Sequence, residues 1–261
     1  MPGNSDITLE QSLAISDPGE KDRELQSWGD RVVIHCGNVT AWLFPLLIVA
    51  ICTQVVIRKM GVNQAWLDDA QWWMYGFAMT VGFAYAITTQ SHVRVDILHQ
   101  NFSAEKKARV EVFALGWLLL PFLLIMMDIL FHYGWTSFLA REGSDSPNGL
   151  HGLYLLKMSL PLLFGLAALA SISMLVRHLK TLTSPNLLAI LIGGFPAAWF
   201  AAERFCFYVL WWFVCATNAE IAPRRISREP LLEPTMWYGL ALVLILMIAS
   251  FVLSRRAARK G

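Results

Sequence analysis

Charge is scarce in this sequence. Asp, Glu, Lys and Arg make up 15% of its 261 residues, where a soluble domain carries about 25%. The shortage excludes an ordinary water-soluble globular domain. The net charge of +2 is too small to recommend a nucleic-acid partner. Cysteine is also sparse. Cys36, Cys52, Cys206 and Cys215 all fall inside apolar runs, and none forms a CxxC pair. This excludes a zinc ribbon and leaves the four expected as small core hydrophobes. There is no glycine-rich phosphate loop and no G-x-S-x-G elbow, so neither of those chemistries is indicated. Residues 1–30 are polar and acidic, without the basic start and apolar core of a secretory signal, and are expected to form a cytoplasmic tail.

Long apolar runs are what the chain has instead. It is 56% hydrophobic, with mean hydropathy +0.49. A helix crossing a bilayer core needs ~20 such residues. Spans are expected at about 32–57, 70–89, 112–133, 154–176 and 235–253. The region 186–217 is too long for one plain span and contains Phe195-Pro196 and Glu203-Arg204. It fits either one tilted helix or a short interfacial piece over 187–200 followed by a span. The expected fold class is therefore all-α integral membrane.

Orientation follows from Lys and Arg. With six crossings and the N-terminus inside, thirteen of these residues fall on the cytoplasmic side and seven outside, favouring two cytoplasmic termini. Trp66, Trp72, Trp73, Tyr75, Trp135, Trp237 and Tyr238 stand near the expected outer ends, where aromatic rings favour the interface. Pro45, Pro121 and Pro161 lie inside spans and are tolerable if neighbours satisfy the freed carbonyls. Small residues recur at helical spacing at Gly76, Thr80 and Ala84, and again at Gly165, Ala168 and Ser171; they suit ordinary close packing of helices. The charged stretch SHVRVDILHQNFSAEKKARVEV, 91–112, then becomes a cytoplasmic connector. Ser103 is placed to cap a helix and Glu105 to sit at its positive end. Lys106, Lys107 and Arg109 fall at headgroup level, beside anionic membrane lipids.

Ionisable groups inside spans deserve a functional question, and there are few. Asp128 and His132 lie one turn apart and are expected at the outer interface. Glu203 and Arg204 are adjacent, so they should point to different sides of a helix and not pair with each other. Lys157 begins a span and can snorkel outward. Asp68 and Asp69 precede the second span at its outer side. Among six histidines, His35 and His178 are the one pair that could hold a haem. They leave open a second class, the membrane anchor of a redox enzyme. Without such a centre, the expectation is an accessory membrane subunit with no cofactor and no catalysis of its own.

The run WLDDAQWWMYGFAMTVGFAYAITTQSHVRVDIL is similar to the second helix and following loop of the small membrane subunit of TRAP (tripartite ATP-independent periplasmic) transporters, the DctQ-like family. His92, Val93, Arg94, Val95 and Asp96 match its H-V-R-V-D-like loop. The run EGSDSPNGLHGLYLLKMSLPLLFGLAAL also resembles the family through Glu142, Ser146, Pro147, Gly149, Leu150, Lys157 and Pro161. The resemblance covers about 31–180. His151 stands where a proline often follows Gly-Leu, a glutamine common later in the fourth helix is missing, and 181–261 continues past the usual four helices.

The resemblance implies a four-helix DctQ-like domain over 31–180; past it, the apolar runs themselves give about two further transmembrane helices in a 181–261 extension with a basic cytoplasmic tail. It implies a bacterial inner-membrane protein that packs on a large DctM-like membrane subunit and serves a periplasmic substrate-binding protein in sodium-coupled uptake of an organic acid. Sodium coupling then belongs to the large subunit. The residues it suggests for the subunit interface are Trp66, Asp68, Asp69, His92, Arg94, Asp96, Glu142, Lys157 and Pro161.

Overall fold

The computed structural model describes residues 18–19, 23–91, 102–217 and 223–258. All regular structure among them is helical. The first long helix, α1 (Trp28–Ala41), starts inside the segment expected as a tail. Ser27 and Asp30 form a capping box. Asp30 accepts the Ser27 N–H at 2.8 Å, and the Ser27 hydroxyl accepts the Asp30 N–H at 3.4 Å. These bonds satisfy donors that a helix start leaves open. Helix α2 (Leu43–Lys59) follows after a break at Trp42. The break has a cause in sequence. Pro45 lacks the N–H that would bond the Ala41 carbonyl four residues earlier, and its ring crowds that carbonyl. The expected first span is thus two helices.

Helix α3 (Ala65–Thr89) packs against both. It buries Leu67, Ala78, Val81, Ala84, Ile87 and Thr88 along one side. Five stretches are long and apolar enough to cross a membrane: 28–59, 104–140, 153–182, 195–217 and 235–256. Helix α3, expected as the second span, is 25 residues long but less apolar than these five. Asp68, Asp69, Gln71 and its Trp and Tyr residues lower it.

The third expected span begins earlier than 112. Ser103 caps α4 (Ala104–Phe113) by accepting the Lys106 N–H. A π-helical turn over Ala114–Leu119 then leads into α5 (Leu120–Ala140). Pro121 follows at once, and the wide turn lets the Leu120 N–H reach back to the Leu115 carbonyl. Helix α6 (Leu153–Leu182) contains Pro161. The region 186–217 is two helices, joined at Gly194 and not near Phe200: α7 (Leu187–Gly193) and then α8 (Phe195–Thr217). A short α9 (Pro223–Ile226) and a long α10 (Thr235–Ala258) complete the chain.

Contacts divide the chain into two compact units. One comprises Met1–Leu98 with Ile125–Met174, the other His99–Leu124 with Leu175–Gly261. In the first, small residues let helices approach, as expected for the stripe at Gly165. Ala167, Ala168, Ala170 and Ser171 are buried, and a Cβ on Gly29 would meet the Ser173 hydroxyl at 2.3 Å. The stripe at Gly76 differs, because a Cβ there would meet nothing within 4 Å. In the second unit the π turn lies against the α7–α8 joint. A Cβ on Gly116 would fall 1.9 Å from the Gly193 carbonyl oxygen. The Trp117 ring lies 6.0 Å from Phe113 and 6.3 Å from Phe195.

The cysteines correct one expectation. Cys52 is exposed, and Cys36, Cys206 and Cys215 are only partly covered. A membrane protein is apolar outside as well as inside, so an apolar run does not imply a core position.

Candidate functional site

Most of the sequence-selected residues come together at one end of the first unit. Asp68, in the first turn of α3, accepts from both Gln54 and Arg58 of α2. Arg58 Nη2 donates to both carboxylate oxygens, at 3.0 and 2.8 Å. Gln71 Nε2 donates to Gln54 Oε1 at 2.5 Å. Gln54 is buried beside a long apolar run of α2, so this network fixes how α2 meets α3. The neighbouring Asp69 reaches elsewhere. Its Oδ2 accepts the Leu150 N–H at 2.9 Å, tying the start of α3 to the loop between α5 and α6.

That loop is itself organised. Arg141, just past α5, takes a left-handed φ of 50°, and Asn148 one of 63°. The Ser144 N–H donates to the Leu150 carbonyl at 2.9 Å, and the Gly149 N–H to the Ser146 carbonyl at 2.9 Å. Gly149 sits so close to Asp69 that a Cβ would lie 2.6 Å from its Oδ2. Glu142 closes the loop onto α6. It accepts from Lys157 Nζ at 2.5 Å and from the Ser137 hydroxyl at 2.6 Å. Lys157 is 13% exposed, and its ammonium lies 4.6 Å from the Tyr133 ring centre. The Lys157 and Ser137 donors hold the Glu142 carboxyl below its ordinary range, because each favours the charged form. Lys157 therefore points into a partnered site rather than simply snorkelling outward.

Pro161 works with Lys157 in another way. It cannot donate to the Lys157 carbonyl four residues earlier. Gly134 of α5 faces that carbonyl, and a Cβ there would lie 2.9 Å from the oxygen. Pro161 is buried. Trp66 is exposed, and its Nε1 donates to Gln64 Oε1 at 2.9 Å. His92, Arg94 and Asp96 lie outside the described residues.

The second unit holds a site that sequence reasoning misjudged. Arg204 and Glu203 do pair: Nε donates to Oε2 at 2.5 Å and Nη2 to Oε1 at 2.6 Å. Adjacent helical residues diverge at Cβ, but the long arginine stem folds back far enough for a two-point contact. Thr235 Oγ1 adds a bond to Glu203 Oε1 at 3.1 Å, and the guanidinium lies 4.8 Å from the Phe207 ring centre. Sequence reasoning also missed Gln54. Its signal was present, as a lone amide in LFPLLIVAICTQVV. Among the described residues no group of three or more His, Cys, Asp or Glu could hold a metal ion.

Long apolar helices, locked to one another by polar side chains near the end of a unit, define a multi-pass all-helical membrane protein. The chain belongs to the family of the DctQ component of tripartite ATP-independent periplasmic transporters, whose family model matches residues 47–181. The matched range contains the whole Gln54–Asp68–Asp69–Leu150 and Glu142–Lys157 arrangement. No curated protein and no solved structure matches the chain.

Proposed function

We propose that this chain is the small membrane subunit of a TRAP transporter and the fixed scaffold for a DctM-like large subunit in the bacterial inner membrane. The large subunit carries the sodium and substrate sites. A periplasmic binding protein delivers an organic acid to the assembly. The chain crosses six times, with α3 among the crossings and both termini in the cytoplasm. Trp66 and the HVRVD loop contribute to the contact with the large subunit.

The observation that carries this reading is the use made of charge within the family-matched range. Asp68, Asp69, Glu142 and Lys157 are each engaged by partners in the chain itself. Such an arrangement suits a rigid frame better than a site that binds and releases an ion. The α3 helix, less apolar than the five other long stretches, suits a position against protein.

The test is reconstitution. This chain, the large subunit and the binding protein together in proteoliposomes should give uptake that depends on an inward sodium gradient. Omitting this chain should abolish uptake. Uptake by this chain alone, or failure of the two membrane subunits to co-purify, would overturn the proposal.

A further inference from the structure

The second unit gathers basic residues from three helices at one end. Helix α10 lies along both α8 and α7. A Cβ on Gly239, near the start of α10, would fall 2.5 Å from the Glu203 N, which sets these two residues at one level. The helical ladder runs on through the α7–α8 joint. The Gly194 N–H donates to the Ile190 carbonyl and the Ala198 N–H to the Gly194 carbonyl, both at 2.9 Å. At a rise of about 1.5 Å per residue, Arg255 lies about 24 Å beyond Gly239, and Leu187 about 24 Å back from Glu203. Arg255 and Arg256 therefore end level with the start of α7.

Two other elements end there too. A Cβ on Gly193 would meet Val112 at 3.4 Å and both Leu175 and Leu179 at 3.6 Å, and one on Gly194 would meet Leu120 at 3.8 Å. Helix α4 thus runs in the same direction as α7, and Lys106 and Leu187 each lie about 9 Å before the Val112–Gly193 contact. Lys180 stands in the last turn of α6, a short turn before α7. Lys106, Lys107, Arg109, Lys180, Arg255 and Arg256 so form a collar around α7, which itself carries no charge. All are exposed except Lys107, which is half-buried. Among the described residues, the carboxylates at this end are Glu105 and Glu111, and of the six cations only Arg109 is paired with one, that of Glu105. The opposite end of the unit mixes its signs, with Glu203, Glu229 and Glu233 beside Arg204, Arg225 and Arg228.

Charge left unneutralised calls for an anion, and the surface beneath it selects which kind. Lys106 Nζ lies 3.9 Å from the Phe102 ring centre, and the Arg255 guanidinium 4.5 Å from that of Phe251. On the same faces of α4 and α10, one or two turns further along, Val110, Phe113, Ile248 and Phe251 are exposed. Cations above an apolar skirt match a phospholipid, with phosphate at the top and acyl chains below. A soluble acidic protein would meet only the upper half of this surface.

We infer that this end of the second unit binds anionic phospholipid, with Lys106, Lys107, Lys180, Arg255 and Arg256 at the phosphates and the exposed apolar residues of α4 and α10 along the acyl chains. The sequence sets the α4 cations at headgroup level one by one. The fold joins them to cations from two helices distant in the chain.

The experiment uses the full chain in phosphatidylcholine vesicles with a trace of spin-labelled phosphatidylglycerol or spin-labelled phosphatidylcholine. The motionally restricted part of each spectrum reports association with the protein. Phosphatidylglycerol should associate about five-fold more strongly, the effect of roughly one basic side chain beside an anionic surface. The preference should fall towards unity in a variant combining Lys106→Gln, Lys107→Gln, Arg255→Gln and Arg256→Gln, with its restricted phosphatidylcholine unchanged. It should survive Arg225→Gln with Arg228→Gln at the opposite end. The parent's preference should also shrink at high salt, which screens exposed charge. No preference in the parent would overturn the inference, since the collar would then serve something other than lipid. A preference that the collar variant keeps, or that the Arg225 and Arg228 variant loses, would overturn it equally. If the collar variant does not fold, the parent decides: a preference unmoved by salt would have the same consequence.

Discussion

Glu142 shows how much one carboxylate can organise. Lys157 and Ser137 hold its carboxyl below the usual range, which for a free Glu centres near about 4.3. A lowered pKa in the folded state stabilises the fold above the unfolded value and is lost as pH falls through the folded one. Thermal unfolding in detergent should therefore show Glu142→Gln melting a few degrees below the parent at pH 7. The gap should close only as the pH drops below the ordinary Glu range. A gap unchanged at that acid end would mean that the pair contributes packing and not charge. Asp69 makes a different demand, because its loss leaves the Leu150 N–H without its acceptor. Asp69→Ala should cost ~1–3 kcal/mol, read as a lower unfolding midpoint. Asp69→Asn, which keeps an oxygen acceptor, should recover most of it.

Helices meet in this protein where backbones can approach, and glycine decides where. At Gly116 an added methyl would strike the Gly193 carbonyl, a backbone atom with no side-chain freedom to yield. Gly116→Ala should thus destabilise by at least the ~1–3 kcal/mol of an overpacked core. Gly76→Ala should be neutral or mildly stabilising in the isolated chain, since it meets nothing within 4 Å and alanine favours a helix by ~0.8–1.0 kcal/mol. Equal losses in the two variants would show that close approach at Gly116 is not the cause. The two glycines look alike in sequence, each followed by an aromatic residue. Most elements were legible: apolar length gave the long helices and Ser103 its cap, but the break at Trp42 was not, because Pro45 read only as a tolerable proline inside one span. Pairings across elements were not. Gln54 finds Asp68, and Glu203 keeps Arg204, for reasons of side-chain reach that no periodicity encodes.

For the whole molecule, the proposed orientation rests on the distribution of Lys and Arg, and the family match gives its context. With thirteen basic residues assigned inside and seven outside, a periplasm-dependent reporter fused after Gly261 should be silent, and a cytoplasm-dependent one active. The opposite result would require an odd number of crossings, with α3 or α8 the helix to be withdrawn. Membership of the DctQ family was legible in short motifs, in HVRVD and in the run from Glu142 to Pro161. The 181–261 extension lies almost wholly beyond the family match at 47–181, so its form came only from the packing of its own residues.

The π turn at Ala114–Leu119 carries a consequence in angle. Leu115 and Leu120 are both buried, yet five steps of about 100° would set them about 140° apart on an ordinary α-helix. A wide turn takes up one residue without advancing the helix by a full step, which brings the two within about 40°. The extra residue thus works as a phase correction. Deleting Leu118 alone leaves four steps between Leu115 and Leu120, about 40° apart on an ordinary α-helix, so a regular helix should be gained while Ala108, Leu115, Leu120 and Leu123 keep their common side.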